Sequence, residues 1–153
     1  MSVSLGENPA MTPVIGVIGA LVLALVVGSA VYIRVAGDDP ARWHVPPEPA
    51  LSLPVGDEVV NIPRGAVARV AGGTKALARV AGIAAQTPRT TLLAGSVLEG
   101  RMTWVTRSAF WGFPDYTTAQ SLPDGSLGIW ARQRYGRGDH GVNALRLKAW
   151  IAE

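Results

Sequence analysis

Between Asn8 and Ile33 the chain carries no charged side chain, and sixteen of the twenty residues from Val14 to Ile33 are apolar. At a rise of about 1.5 Å per residue, a helix of that length spans the hydrocarbon core of a bilayer. In lipid the backbone amides of one segment find no partner but each other, so a helix is the available solution. The expectation is a transmembrane helix over residues 13–34, preceded by a short polar tail at 1–12. The rival reading is a cleaved signal peptide, with Gly28-Ser29-Ala30 as its small-residue cleavage site. No Lys or Arg precedes the run, and it is longer than a usual signal core, which favours an uncleaved anchor.

Gly16, Ala20, Ala24 and Gly28 recur every four residues and place small side chains along one stripe of that helix, where a second helix can approach closely. Arg34 and Arg42 stand after the helix and nothing basic precedes it, so the positive-inside rule leans toward a cytoplasmic position for the carboxy-terminal domain. The expected location is the bacterial inner membrane, single-pass, in contact with membrane lipid.

Outside the apolar run the hydrophobic fraction is ordinary for one globular domain. The chain has no cysteine, which excludes disulfide scaffolds, cysteine zinc sites and thiol nucleophiles. With His44 and His140 as its two histidines, it has no multi-histidine metal site, so neither metal nor cofactor is expected.

Residues 35–54 contain Pro40, Pro46, Pro47, Pro49 and Pro54, which fix φ and remove amide donors, so the segment reads as an extended Pro-rich linker. Within it Arg42, Trp43 and His44 stand where a ring and a cation could sit in the headgroup region, but the favoured expectation for Trp43 is packing on the domain, because tryptophan buries a large area wherever it finds a core.

Residues 55–153 read as a soluble α+β domain. Glu58 to Ile62 reads as a strand closed by Pro63, Ala66 to Val70 as a helical turn, and Thr74 as the cap of a helix ended by Pro88, with Leu77, Val80, Ala81 and Ala84 on one face. Two hairpins come next, one about Glu99-Gly100-Arg101 and one about Pro123-Asp124-Gly125. In the last strand Leu127, Ile129 and Ala131 alternate with Gly128, Trp130, Arg132 and Arg134, making one sheet face apolar and the other arginine-bearing. A closing helix from Asp139 to Ala152 is expected to turn Val142, Leu145, Ala149 and Trp150 inward. The fold class is thus a transmembrane helix followed by a two-layer domain of antiparallel hairpins with helices on one face.

Charge divides unevenly along the chain. Residues 1–63 sum to −4, and residues 64–153 sum to +7, with ten arginines among the twelve basic side chains. Such a domain invites an anionic partner or surface. Arg107, Arg132, Arg134 and Arg137, beside Tyr116, Trp130 and Tyr135, are the candidate anion or partner surface. The competing use is structural: Asp115, Asp139 and Asn143 supply acceptors that could lock Arg107, Arg132 or Arg134 between hairpins and closing helix.

Gly136-Arg137-Gly138-Asp139-His140-Gly141 spells G-x-G-x-x-G, yet an acid at the helix start stands where a pyrophosphate would sit, so these glycines read as turn residues with Asp139 as cap. Asp139 and His140 with Ser108 or Ser126 lack any nucleophile signature, so no catalytic residue is assigned. No nucleic-acid partner is expected.

Phe113-Pro114-Asp115-Tyr116, Arg132-Gln133-Arg134-Tyr135-Gly136 and Asp139-His140-Gly141-Val142-Asn143 occur in that order, with Pro88-Arg89 upstream and Asp39-Pro40-Ala41-Arg42-Trp43-His44 after the apolar helix. This set resembles the bacterial family called domain of unknown function 1499, over about residues 38 to 152. The chain departs from it at Ala131 and near Gly138, where members often carry hydroxyls. The resemblance implies a small domain, often membrane-tethered, with no established activity. The leading functional expectation is an accessory or assembly component binding a membrane protein or complex. A membrane-tethered small-anion or lipid-binding module is the alternative, and an uncharacterised enzyme the third.

Overall fold

The computed structural model describes residues 11–152, so the polar tail lies outside the described residues through residue 10. The chain divides into two compact units after Ala36. The first holds helix α1 (Met11–Val35), which over Pro13–Val35 is long and apolar enough to cross a membrane, with none of that window buried in the structure. Its large side chains stand open, Leu25 at 72% exposure. An apolar surface of this size is costly in water and free in hydrocarbon.

The second unit holds short helices α2 (Pro40–Trp43) and α3 (Glu48–Leu51), then strands β1 (Val59–Ile62) and β2 (Gly65–Ala71) and helix α4 (Gly73–Gln86). Strands β3 (Thr90–Ser96), β4 (Arg101–Arg107), β5 (Pro114–Ser121) and β6 (Ser126–Gln133) come next, and α5 (Val142–Ala152) closes the chain. The six strands form one sheet in the order β1-β2-β6-β5-β4-β3, every neighbouring pair antiparallel. This is the expected α+β class.

Helices α4 and α5 cover one sheet face, where Leu77, Val80, Ala84, Leu147 and Trp150 bury against Ala66, Ala68, Trp104, Leu127, Ile129 and Ala131. The alternation read in β6 holds, since Leu127, Ile129 and Ala131 all belong to this core. Both hairpins also form, because each is set by local turn chemistry, with Gly100 and Gly125 at positive φ in the turns.

Four expectations are corrected. Ala66 to Val70 is not a helical turn; it is the middle of β2, paired with β1 on one edge and β6 on the other. A strand covered on both faces shows no period-two pattern, so its Ala-rich run resembles a helix. The cap of α4 is Gly72 at φ 105, and Thr74 lies inside the first turn with its hydroxyl 3.2 Å from Ser121 Oγ. Helix α5 is rotated from its expected phase. Its buried residues are Asn143, Ala144, Leu147 and Trp150, while Val142 and Leu145 are 50% and 67% exposed and Ala149 is exposed. Because the inward position at 143 is polar, apolar periodicity alone misplaces the face.

The fourth correction concerns the linker. Residues 38–53 are not an extended spacer; they run as a strap across the sheet face opposite α4 and α5. Trp43 is 8% exposed and stacks on Tyr116 with centroids 3.8 Å apart and planes 5° apart. The Trp43 carbonyl accepts from Thr118 Oγ1 and from Arg132 Nη2. The His44 ring nitrogen Nδ1 lies 2.9 Å from Thr103 Oγ1, and Arg69 Nη1 donates to the carbonyls of Leu51 and Leu53. Ala50 and Pro47 sit against Gly128, where a Cβ would come within 3.2 Å of the proline ring. Proline prevents a long helix here, yet it also lowers the entropy lost when an extended strap docks.

Candidate functional site

The strap meets the arginine-bearing sheet face, and their junction holds the candidate site. The sheet register sets Tyr116 of β5 opposite Arg132 of β6 and Val105 of β4. Arg107 and Arg134 stand at the same strand ends. Asp38, the second residue of the domain unit, reaches into this group. Its Oδ2 accepts from Arg107 Nη2 at 2.7 Å and its Oδ1 from the Tyr116 hydroxyl at 2.5 Å, with Arg134 Nη1 3.9 Å away. Arg134 Nη1 also donates to the Gly37 carbonyl at 3.0 Å and to the Tyr116 oxygen at 3.3 Å. Burial, reinforced by the hydrogen bond to Asp38, pushes the Tyr116 phenol up to about 12, so it stays a donor throughout the physiological range.

The candidate surface residues therefore divide. Tyr116 is fully buried, and Arg107 and Arg134 both serve Asp38. Trp130 and Tyr135 are half-buried beneath the guanidinium groups of Arg132 and Arg134, at 4.0 and 5.1 Å from the ring centroids. Arg137 is exposed in the loop before α5.

The acceptors expected to hold Arg107, Arg132 and Arg134 do other work. Asp115 pairs with Arg146 of α5 at 3.3 Å, and Asn143 Oδ1 accepts from Arg146 Nη1 at 2.6 Å. Burial raises the Asp115 carboxyl above its usual range, while the adjacent Arg146 opposes that shift. Asp139, expected to open α5, lies three residues before its first residue Val142 and caps it from the preceding turn, accepting from the backbone amides of Gly141 and Asn143. Burial works against its ionisation, yet these hydrogen bonds hold its carboxyl below the usual range; a cap of this kind contributes about 1 kcal/mol. The sequence reading missed Asp38 and Arg146. The signal for Asp38 was the acidic excess of the first 63 residues beside a basic domain.

Arg132 differs from the other interior cations. It is 7% exposed, and among the described residues no carboxylate pairs with it. Its Nη2 bonds the Trp43 carbonyl, its guanidinium lies over Trp43 and Trp130, and its Nη1 is buried without a hydrogen-bond partner. Burial pulls its pKa down to about 10, so it remains a cation at neutral pH. Arg132 lines an open cleft of about 230 Å³ together with Arg42, Arg64 and Arg134, walled by Trp43, Trp130, Pro63 and Gln133. None of these described lining residues is acidic. Arg64 occupies the turn between β1 and β2 at φ 66 and donates from Nη2 to the Arg134 carbonyl at 2.9 Å. Arg42 is exposed on α2, its guanidinium 5.1 Å from the Trp43 ring centroid.

A second cleft, of about 400 Å³, shares Gln133 with the first and is lined by Phe113, Tyr135 and the loop leading into α5. Ser108, Asp139 and His140 share it, whereas Ser126 lies at the β5–β6 turn with its hydroxyl on Asp124. Both carboxylate oxygens of Asp139 are committed to the helix cap. Among the described residues no group of three His, Asp or Glu side chains is placed to hold a metal ion. Helix α1 leaves the stripe of Gly16, Ala20, Ala24 and Gly28 exposed. Comparison with protein-family models, curated proteins and solved structures finds no match to this chain.

Proposed function

We propose that this protein is a single-pass membrane-anchored module whose domain binds a small anion in the arginine cleft. One observation carries the reading: Arg132 is a buried cation with a free Nη1 and no carboxylate, set among three more arginines in a cleft without an acid. A buried, unpaired charge costs several kcal/mol, roughly, and a guanidinium cannot escape that cost by losing its proton. A bound anion removes it. A relationship to domain of unknown function 1499, which the sequence motifs suggest and no family model matches, would fit the layout of anchor plus domain and says nothing about ligand chemistry. The reading as an accessory component rests on the small-residue stripe of α1, which lacks a comparable feature pointing to an occupant.

The test is thermal unfolding of the full chain in neutral detergent micelles, titrated with inorganic phosphate at constant ionic strength. Saturable stabilisation is expected, reaching about 2.7 kcal/mol when phosphate exceeds its dissociation constant a hundredfold. Arg132→Met should abolish it while costing the free protein little. The Trp43 carbonyl keeps its bond from Thr118, and the desolvated charge disappears. Absence of saturable stabilisation in the unmodified chain would refute the reading, and a stoichiometric membrane-protein partner copurifying with it would favour the accessory role instead.

A further inference from the structure

The geometry points to a phosphate monoester in its dianionic form as the ligand of the arginine cleft, an inference that rests on the anion-binding reading above. Charge is the first argument. Among the described residues Arg42, Arg64 and Arg132 have no carboxylate within ion-pairing distance, and Arg134 shares Asp38 with Arg107. One negative charge leaves most of this cationic excess uncompensated, whereas two concentrated on one terminal group meet more of it at short range. Shape is the second argument. Guanidinium forks match the tetrahedral oxygens of phosphate with paired donors, and a terminal monoester presents three such oxygens where a diester presents two.

The cleft also has room for more than the phosphate group. Its volume of about 230 Å³ is roughly that of eight water molecules in the liquid. The indole walls of Trp43 and Trp130 suit the carbon atoms next to the ester oxygen. Arg42 follows Val35, the end of the apolar helix, by seven residues in the chain. A phosphomonoester carried on a lipid headgroup and one carried on a soluble molecule share this chemistry.

The pH dependence of binding identifies the charge state. Arginine, tryptophan, proline and glutamine line the cleft, with no carboxylate or imidazole among them. Behind Arg134 stand Tyr116, which titrates far above this range, and Asp38, which is held by Arg107. His44, next to Trp43, is turned to Thr103; burial and then Arg101 lower its pKa, with Glu99 opposing, and sulfate, a dianion at both pH values, reports any effect of its protonation on binding. The second proton of a phosphomonoester leaves near pH 6, so a site selecting the dianion binds it about tenfold more weakly at pH 5 than at pH 7.5.

The experiment is calorimetric titration of the full chain in neutral detergent with glycerol phosphate, sulfate and dimethyl phosphate, at one ionic strength and both pH values. The expected result is a tenfold loss for glycerol phosphate at the lower pH, no change for sulfate, and binding of dimethyl phosphate at least tenfold weaker than either at pH 7.5. Arg42→Met, at an exposed residue whose contact is the Trp43 ring, should weaken glycerol phosphate severalfold with folding intact, which keeps the test available should Arg132 variants fail to fold. Equal affinity for dimethyl phosphate, or a flat pH profile for glycerol phosphate, overturns the dianion while leaving an anion site standing. No binding of any of the three overturns both. Short-chain phosphatidic acid assigns the source: tenfold tighter binding than glycerol phosphate marks a lipid headgroup, and equal binding marks a soluble phosphomonoester, either outcome supporting the ligand class.

Discussion

Trp150→Ala is expected to destabilise the domain by about 4 kcal/mol, and Leu145→Ala on the same helix by less than about 0.5 kcal/mol. Trp150 is 1% exposed, its ring meets Trp104 edge to face with centroids 5.6 Å apart, and its Nε1 donates to Thr87 Oγ1 at 3.0 Å. Truncation opens a large cavity between α5 and the sheet and removes the bond that ties α5 to the end of α4. Leu145 is 67% exposed, so its removal deletes little buried surface. Urea unfolding of the two variants reads the difference directly. Comparable losses would mean that α5 packs in the phase its apolar spacing suggests, with Leu145 inward.

Asp38→Asn is expected to cost about 3 kcal/mol, a large share of the stability of a domain this size. The amide keeps the volume but not the charge, and Arg107, Arg134 and the Tyr116 hydroxyl then share a partially buried site with no anion. With side chains of Asp38 and Arg107 only 19% and 29% exposed, water compensates for little of the loss. The same substitution should loosen the strap before the domain unfolds, seen as new protease cleavage within residues 37–53 and altered fluorescence of Trp43. A change under about 0.5 kcal/mol with an intact strap would show that the Trp43 stack and the bonds from Thr118, Arg132 and Arg69 seat the segment without Asp38.

Local rules carried much of the fold. The apolar helix, the two hairpin turns, the alternation in β6 and the Asp139 cap were legible because each depends on residues within a few positions of one another. The failures share a cause. Strand β2 looked helical because both its faces are covered, and the proline-rich strap looked like a spacer because its partners lie far off in sequence, 16 positions for Arg69 and 75 for Thr118. At the candidate site, the reading named Arg132 and Arg134 but neither the Asp38 that claims Arg134 nor the cleft completed by Arg42 and Arg64. The uneven charge already hinted at the first of these: part of the acidic excess before residue 64 neutralises part of the basic excess after it, across the strap.

By itself the sequence determined an apolar helix able to span a bilayer, a following α+β domain, the hairpins and a sheet face carrying arginines, all consequences of side-chain period and turn chemistry. Which of those arginines has an anion of its own was decided by the tertiary structure alone. Asp38 reaches Arg107 across 69 positions, Asp115 takes Arg146, and Arg132 is left buried with none. Nearly identical guanidinium groups acquire different roles because the strength of a charge depends on what shares its few ångströms of low-dielectric space, and chain folding chooses those neighbours.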